Sequence, residues 1–165
     1  MKLHVTINGA ARAIEIAARD LLIDVLRDAG CLSVKRGCET GDCGACTVLL
    51  DGVPVESCLL FAAQAEGRAV TTVEALGTVD QPHPLQLAFA DAGAVQCGFC
   101  TPGMLLSAKA LLDENPAPTE AEVKAALDGH LCRCTGYVKQ IEAVLRAAAV
   151  LRAAGTKTPD DARQP

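Results

Sequence analysis

Gly37-Cys38-Glu39-Thr40-Gly41-Asp42-Cys43-Gly44-Ala45-Cys46 sets three cysteines and three glycines in one short stretch, and Cys58 follows after eleven intervening residues. What separates the thiols is small or polar, so the stretch reads as a loop wrapped around something compact. Glycine allows the unusual backbone angles and close approach that such wrapping needs. The chain has 165 residues and nine cysteines. Its first residues, MKLHVTINGA, hold no apolar signal core and no twin-arginine pair, so a reducing, cytoplasmic setting is expected. There, clustered cysteines point to metal ligands or catalytic thiols rather than to disulfides.

Outward from the loop the pattern is that of short strands. Lys2 to Ile7 alternates, Asn8-Gly9 suits a type I′ hairpin turn, and Arg12 to Ala17 alternates again. Asp20 reads as the N-cap of a helix over Leu21 to Asp28, stopped by Gly30. Cys46 to Leu50 and Val53 to Glu56 form a second hairpin about Asp51-Gly52; a short helix over Cys58 to Ala65 and a strand over Ala69 to Glu74 follow. A helix across a small mixed sheet is an α+β domain.

Cys38-x4-Cys43-x2-Cys46 with a distant Cys58 is the plant-type ferredoxin spacing for a [2Fe-2S] cluster. Such a cluster with four thiolates carries net negative charge, which backbone N–H groups offset without a cationic side chain. Zinc favours paired knuckles and suits three thiols in one glycine-containing loop poorly.

Past Gly77 to Pro84 (GTVDQPHP), the expected linker, strand signals stop. Pro84 opens a helix with Leu85, Ala88 and Phe89 on one face. Thr101-Pro102 supplies an N-cap and a first-turn proline for Gly103 to Leu112, and Thr119-x-x-Glu122 a capping box for Val123 to Leu127. The last helix runs from Gly136 to about Ala153 with Ile141, Val144, Leu145, Ala148 and Leu151 inward. Four helices with short connections make a bundle. The expected division is therefore 1–76, a linker at 77–84, a bundle over 85–153 and a polar tail without fixed structure over 154–165.

The second thiol group, Cys97-x2-Cys100 and Cys132-x-Cys134, sits at helix starts, where free N–H groups favour thiolates. On spacing alone this four-thiolate site suits zinc as well as an iron–sulfur cluster. A redox dithiol fits less well, because no βαβ pattern surrounds Cys97 and Cys100.

Gly37 to Cys46, Gln96-Cys97-Gly98-Phe99-Cys100-Thr101-Pro102-Gly103-Met104 and Leu131-Cys132-Arg133-Cys134-Thr135-Gly136-Tyr137 together resemble the small iron–sulfur subunit of the molybdenum hydroxylases, the xanthine oxidase family. That family includes bacterial aldehyde, carbon monoxide, N-heterocycle and hydroxybenzoyl-CoA enzymes. The resemblance spans roughly residues 2 to 152, with all eight ligand positions filled. It implies a β-grasp ferredoxin domain and a four-helix bundle, each with one [2Fe-2S] cluster, and so favours iron in the second group. It further implies an electron-transfer subunit without a substrate site, between a large molybdopterin-binding subunit and, in most members, a medium FAD-binding subunit. The assembly would be a hetero-oligomer, such as a dimer of heterotrimers. By the same resemblance Gln96 and Cys134 would face the pterin.

Other classes fit less well. A net charge of −5 and only four aromatic residues (Phe61, Phe89, Phe99, Tyr137) argue against nucleic acid, and no apolar run reaches membrane-spanning length. A free-standing ferredoxin-like carrier would need only the first half, and a zinc-stabilised adaptor would be colourless. Cys31 is expected to be a buried structural thiol. His130 is expected at the surface or on a cap, since the four-cysteine set is complete without it. Arg133 has two readings, raising the local potential or pairing with a partner's carboxylate. Tyr137 fills the bundle or an interface. No residue reads as a catalytic acid, base or nucleophile.

Overall fold

Asn8 and Gly9 both adopt left-handed φ, 51° and 79°, as a type I′ turn demands. They join strand β1 (Lys2–Ile7) to β2 (Ala10–Glu15) as an antiparallel pair, Leu3 opposite Ile14 and Val5 opposite Arg12. Asp51 and Gly52 repeat the device between β3 (Thr47–Leu50) and β4 (Val53–Glu56). Strand β5 (Ala69–Thr71) lies parallel to β1 and antiparallel to β3, which gives a mixed sheet of order β2-β1-β5-β3-β4. Helix α1 (Leu22–Asp28) joins Leu22, Ile23 and Leu26 to a core with Leu3, Val5, Ile7, Val48, Leu50 and Val70. Each such aliphatic side chain contributes about 1.5–3 kcal/mol by leaving water. This is the β-grasp architecture. Cys31 lies buried in the same core, where burial raises its thiol pKa. The computed structural model describes residues 1–155; the tail expected over 154–165 falls almost wholly outside the described residues.

Three local readings change as backbone groups find other partners, most of them distant in sequence. Asp20 does not cap α1; its carboxylate accepts from the Ala17 N–H at 2.8 Å, and extended Leu21 occupies the cap position. Leu21 bridges to Phe61, with Leu22 N donating to the Leu60 carbonyl and Ala62 N to that of Asp20. That pairing holds Phe61 extended, so the helix expected over Cys58 to Ala65 is only a 3-10 turn at Ala62–Ala65. Strand β5 ends at Thr71 because the Asn8 side chain takes over the next residue, accepting from Thr72 N at 2.8 Å and donating to Thr72 Oγ1 at 2.9 Å.

The second half is α2 (Pro84–Asp91), α3 (Thr101–Glu114), α4 (Glu120–Leu127) and α5 (Val138–Ala153). Its core comprises Leu85, Phe89, Met104, Leu112, Val123 and Val144 among others. The Thr119–Glu122 capping box forms as expected. Helix α3 starts one residue early, at Thr101, with Cys100 in the cap position. Helix α5 starts two residues late, because Gly136 and Tyr137 both hold left-handed φ, 72° and 70°. Its buried face is Gln140, Ala143, Val144, Ala147 and Ala148, so the expected face is rotated toward a polar residue.

The halves meet where α3 packs on β3 and β4. A Cβ placed on Gly103 would lie 2.2 Å from the Gly44 carbonyl oxygen, so α3 touches the first cysteine loop backbone to backbone.

Candidate iron–sulfur sites

The first loop is shaped by left-handed residues at Glu39, Gly41 and Gly44. They turn the chain around its own thiols. At Gly37 a Cβ would stand 2.6 Å from Cys43 Sγ, so this glycine leaves room for the sulfur against the backbone. Backbone N–H groups aim at the sulfurs as an anionic cluster requires: Thr40 and Asp42 N–H donate to Cys38 Sγ at 3.4 and 3.3 Å, and Cys38 N–H to Cys43 Sγ at 3.4 Å. The Thr40 hydroxyl, then its N–H, the Cys43 thiol and the Asp42 N–H pull the Cys38 thiol down to about 6. Cys46 and Cys58 face one another from either side of the β3–β4 hairpin. Burial first, and Cys58 beside it, push the Cys46 thiol up to about 12. A buried thiol of that kind becomes a thiolate when a metal cation takes the proton's place.

The second group sits at one end of the bundle. Cys97 and Cys134 sulfurs lie 3.6 Å apart. Two thiolates on one tetrahedral metal at about 2.3 Å are about 3.8 Å apart, so this pair already stands near single-ion spacing. Cys100 and Cys132 form the other pair; burial, with Cys132 next to it, raises the Cys100 thiol to about 12. Burial also works to raise Cys132, but the Thr135 hydroxyl and the Cys134 and Thr135 N–H groups outweigh it and bring that thiol to about 7. The thiols thus stand in twos: among the described residues no three His, Cys, Asp or Glu side chains gather as a single-ion site. Paired thiols in both groups, with inward N–H groups and a glycine cradle at the first and the Cys134 and Thr135 N–H groups at Cys132 in the second, fit a two-iron cluster at each site.

Gln96 and Cys134, which the resemblance sets toward a pterin, are joined here: Gln96 Nε2 donates to the Cys134 carbonyl at 3.2 Å, and both residues are exposed. Exposed apolar side chains rim the thiols: Phe99, next in chain to Cys100, reaches toward Gly37 of the first loop, Leu131 adjoins Cys132 in the chain, and Leu59 stands against Gly41.

Three residues acquire roles that sequence reasoning did not assign. His130 is only 6% exposed, not a surface or capping residue. Its Nε2 lies 3.2 Å from Thr47 Oγ1 of the sheet and 3.1 Å from Ser107 Oγ of α3, bridging the halves. The Thr47 hydroxyl donates its proton to the Gly44 carbonyl at 2.8 Å, so toward His130 it can only accept, and Nε2 carries the hydrogen. Burial holds the imidazole pKa below the usual 6.5. Tyr137 accepts from the Cys132 N–H through its hydroxyl at 2.7 Å, and Gln140 lies buried beside Cys132. The left-handed Tyr137 had a signal in the Gly136-Tyr137 dipeptide before α5; the other two had none in local pattern.

Comparison with known proteins agrees with this geometry. Residues 5–73 match the 2Fe-2S iron-sulfur cluster binding domain family, and residues 72–145 the [2Fe-2S] binding domain family. The nicotinate dehydrogenase small FeS subunit of Eubacterium barkeri is 50% identical over 147 residues, which are 88% of this chain and 93% of that protein. Quinoline 2-oxidoreductase from Pseudomonas putida 86 contains a chain that superposes with a TM-score of 0.89 at 45% identity, covering 94% of this chain and 98% of its own. Aldehyde oxidoreductase from Desulfovibrio gigas superposes with a TM-score of 0.90 at 41% identity over 99% of this chain, but over only 19% of its longer one. The likeness runs through both halves, which a free-standing plant-type carrier would not need, and the bundle matches an iron–sulfur family rather than a zinc one. The chain belongs to the small [2Fe-2S] subunits of the molybdenum hydroxylase (xanthine oxidase) family, electron-transfer subunits of oxidoreductases built from several chains.

Proposed function

We propose that Cys38, Cys43, Cys46 and Cys58 hold one [2Fe-2S] cluster and Cys97, Cys100, Cys132 and Cys134 the other, in domains divided by the 77–84 linker. Bound clusters supply one-electron storage; the protein supplies the thiolates, the inward N–H groups and a fixed separation between the two loops. The observation that carries this reading is the grouping of thiols by twos, with Cys97 and Cys134 sulfurs 3.6 Å apart.

With these assignments the chain relays electrons between a molybdenum–pterin site on a large partner subunit and FAD on a medium one. The exposed Gln96–Cys134 corner is the face turned to the pterin. The exposed apolar residues Phe99 and Leu131, each next in chain to a cysteine of the second group, suit burial under that partner. Each small subunit would join one large and one medium chain, and two such heterotrimers would pair. The reading also places the complex in the cytoplasm, where unbound thiols stay reduced. Among the described residues no helix is long and apolar enough to cross a membrane.

Low-temperature electron paramagnetic resonance of the dithionite-reduced native complex tests the cluster assignment. Two distinct signals, each integrating to one spin per small chain, support it. A single signal would leave the helical domain without its cluster and overturn half of the ligand set.

A further inference from the structure

Helix α5 turns a glutamine into the bundle. Gln140 is 0% exposed and shares its buried face with Ala143, Val144, Ala147 and Ala148, where an aliphatic side chain would pack without polar atoms to satisfy. Its Oε1 is buried with no hydrogen-bond partner, an arrangement that costs stability because the desolvated oxygen gets nothing in return. A polar group kept in the core at such a cost calls for a reason in the site it adjoins.

The other end of the amide supplies one. Gln140 Nε2 donates to Thr135 Oγ1 and stands 3.8 Å from Cys132 Sγ, while Thr135 Oγ1 is 3.1 Å from the same sulfur. With a lone pair of the Thr135 oxygen engaged by the amide, the hydroxyl proton is free to point at Cys132 Sγ. The opposite amide orientation would draw that proton to Oε1, away from sulfur, and would strand two N–H donors in the core. The Cys132 N–H is committed to Tyr137 Oη, so the hydroxyl is not competing with it for the sulfur.

We propose that Gln140 is a positioning residue that sets the reduction potential of the helical-domain cluster by fixing the Thr135 hydroxyl as a hydrogen-bond donor to Cys132 Sγ. The inference rests on Cys132 being a cluster ligand. Reduction adds one electron and breaks no bond; the added negative charge falls partly on the ligand sulfurs, and a donor fixed at one of them stabilises the reduced form. Hydrogen bonds to cluster sulfurs are among the determinants of such potentials.

The test is an electron paramagnetic resonance redox titration of the native complex carrying Gln140→Leu, with the two cluster signals followed separately. The signal missing from a Cys43→Ser variant identifies the sheet-domain cluster. Gln140→Leu is expected to make the helical-domain cluster harder to reduce, on the order of tenfold in the reduction equilibrium. For one electron, tenfold is about 59 mV. The sheet-domain potential should stay where it is. Thr135→Val should shift the same cluster in the same direction, Thr135→Ser should restore it, and the double variant Gln140→Leu with Thr135→Val should add nothing further. An unchanged helical-domain potential, or an equal shift of both clusters, would overturn the proposal. If Gln140→Leu fails to assemble the cluster, the Thr135→Val and Thr135→Ser titrations decide in the same way. Loss of a cluster signal from the wild-type complex would instead overturn the ligand assignment beneath it.

Discussion

Gly103→Ala should loosen the joint between the two domains. In most helix interiors this change stabilises by about 1 kcal/mol, since alanine is the better helix former. Here the new methyl would lie 2.2 Å from the Gly44 carbonyl oxygen and 3.2 Å from His130 Cδ2. An unstrained carbon–oxygen contact is about 3.3 Å or more, so the backbones must part by about 1 Å. The Gly44 oxygen is not free to yield: it accepts from Thr47 N at 3.2 Å and from Thr47 Oγ1 at 2.8 Å. Overpacking costs about 1–3 kcal/mol and a weakened hydrogen bond about 1 more. Against the propensity gain, a net loss of about 1–3 kcal/mol remains. At about 2–4 °C per kcal/mol for a chain of this size, unfolding should shift down by several degrees. Calorimetry of the cluster-loaded complex reads this, and the spin–spin interaction between the reduced clusters should weaken in the same sample. A variant that melts at or above the wild-type temperature would refute the reasoning, because it would mean that α3 does not press on the Gly44 carbonyl. Gly44→Ala should be worse still, since its φ of +66° adds left-handed strain and its Cβ would meet His130 Cδ2 at 2.6 Å.

Cys43→Ser should abolish one cluster signal and leave the other; if both persist on reduction, Cys43 is not a ligand. Gln96→Ala removes the hydrogen bond to the Cys134 carbonyl and should leave both clusters assembled while slowing their reduction by substrate; unchanged rapid-mixing rates would remove any role for that amide. Glu74 tests an electrostatic tie near the first loop. Partial desolvation pushes its carboxyl up, but the Ser33 hydroxyl and N–H and the Thr72 hydroxyl more than reverse this, so its folded pKa lies below the ordinary 4.5. The stability it contributes is present above pH 4.5 and lost as pH falls through the folded value. Because the group is exposed the effect is under about 1 kcal/mol, and Glu74→Gln should flatten the acid limb of the stability profile. An unchanged limb would count against the tie.

The parts of the fold legible in the sequence were those decided within a few residues. Asn8-Gly9 and Asp51-Gly52 admit few backbone conformations other than tight hairpin turns, and Thr119 to Glu122 contains both halves of its capping box. The two thiol groups were legible because their cysteines fall in short, closely spaced runs, Cys38 to Cys46 in one and the pairs Cys97-x2-Cys100 and Cys132-x-Cys134 in the other. The helix expected over Cys58 to Ala65 failed because Phe61 pairs with Leu21, forty residues away in sequence, and backbone hydrogen bonding overrides helix propensity there. His130 and Gln140 were missed because both are polar residues at interior positions. A pattern that sorts polar outward cannot find a polar side chain whose partners arrive from another element. Gly103 was read as a helix residue like its neighbours, although the missing side chain is its contribution.

These missed residues share a location, and that bears on how the subunit works. Gly44, Thr47, Gly103, Ser107 and His130 form the seam between sheet and bundle, and each touches another of the set. Leu131, next in chain to both His130 and Cys132, donates its N–H to the Cys43 carbonyl at 3.1 Å. One hydrogen bond therefore spans from a cysteine of the first group to the neighbour of a cysteine of the second. Electron transfer between two centres depends on their separation and on what lies between them, so a hinge at this seam would make the rate fluctuate with domain motion. Glycines that let backbones touch, and an Nε2–H imidazole shared by two hydroxyls, remove that freedom. The two domains have separate cores and match separate families, but their cysteine loops are tied to each other by backbone contact and hydrogen bonds across the seam.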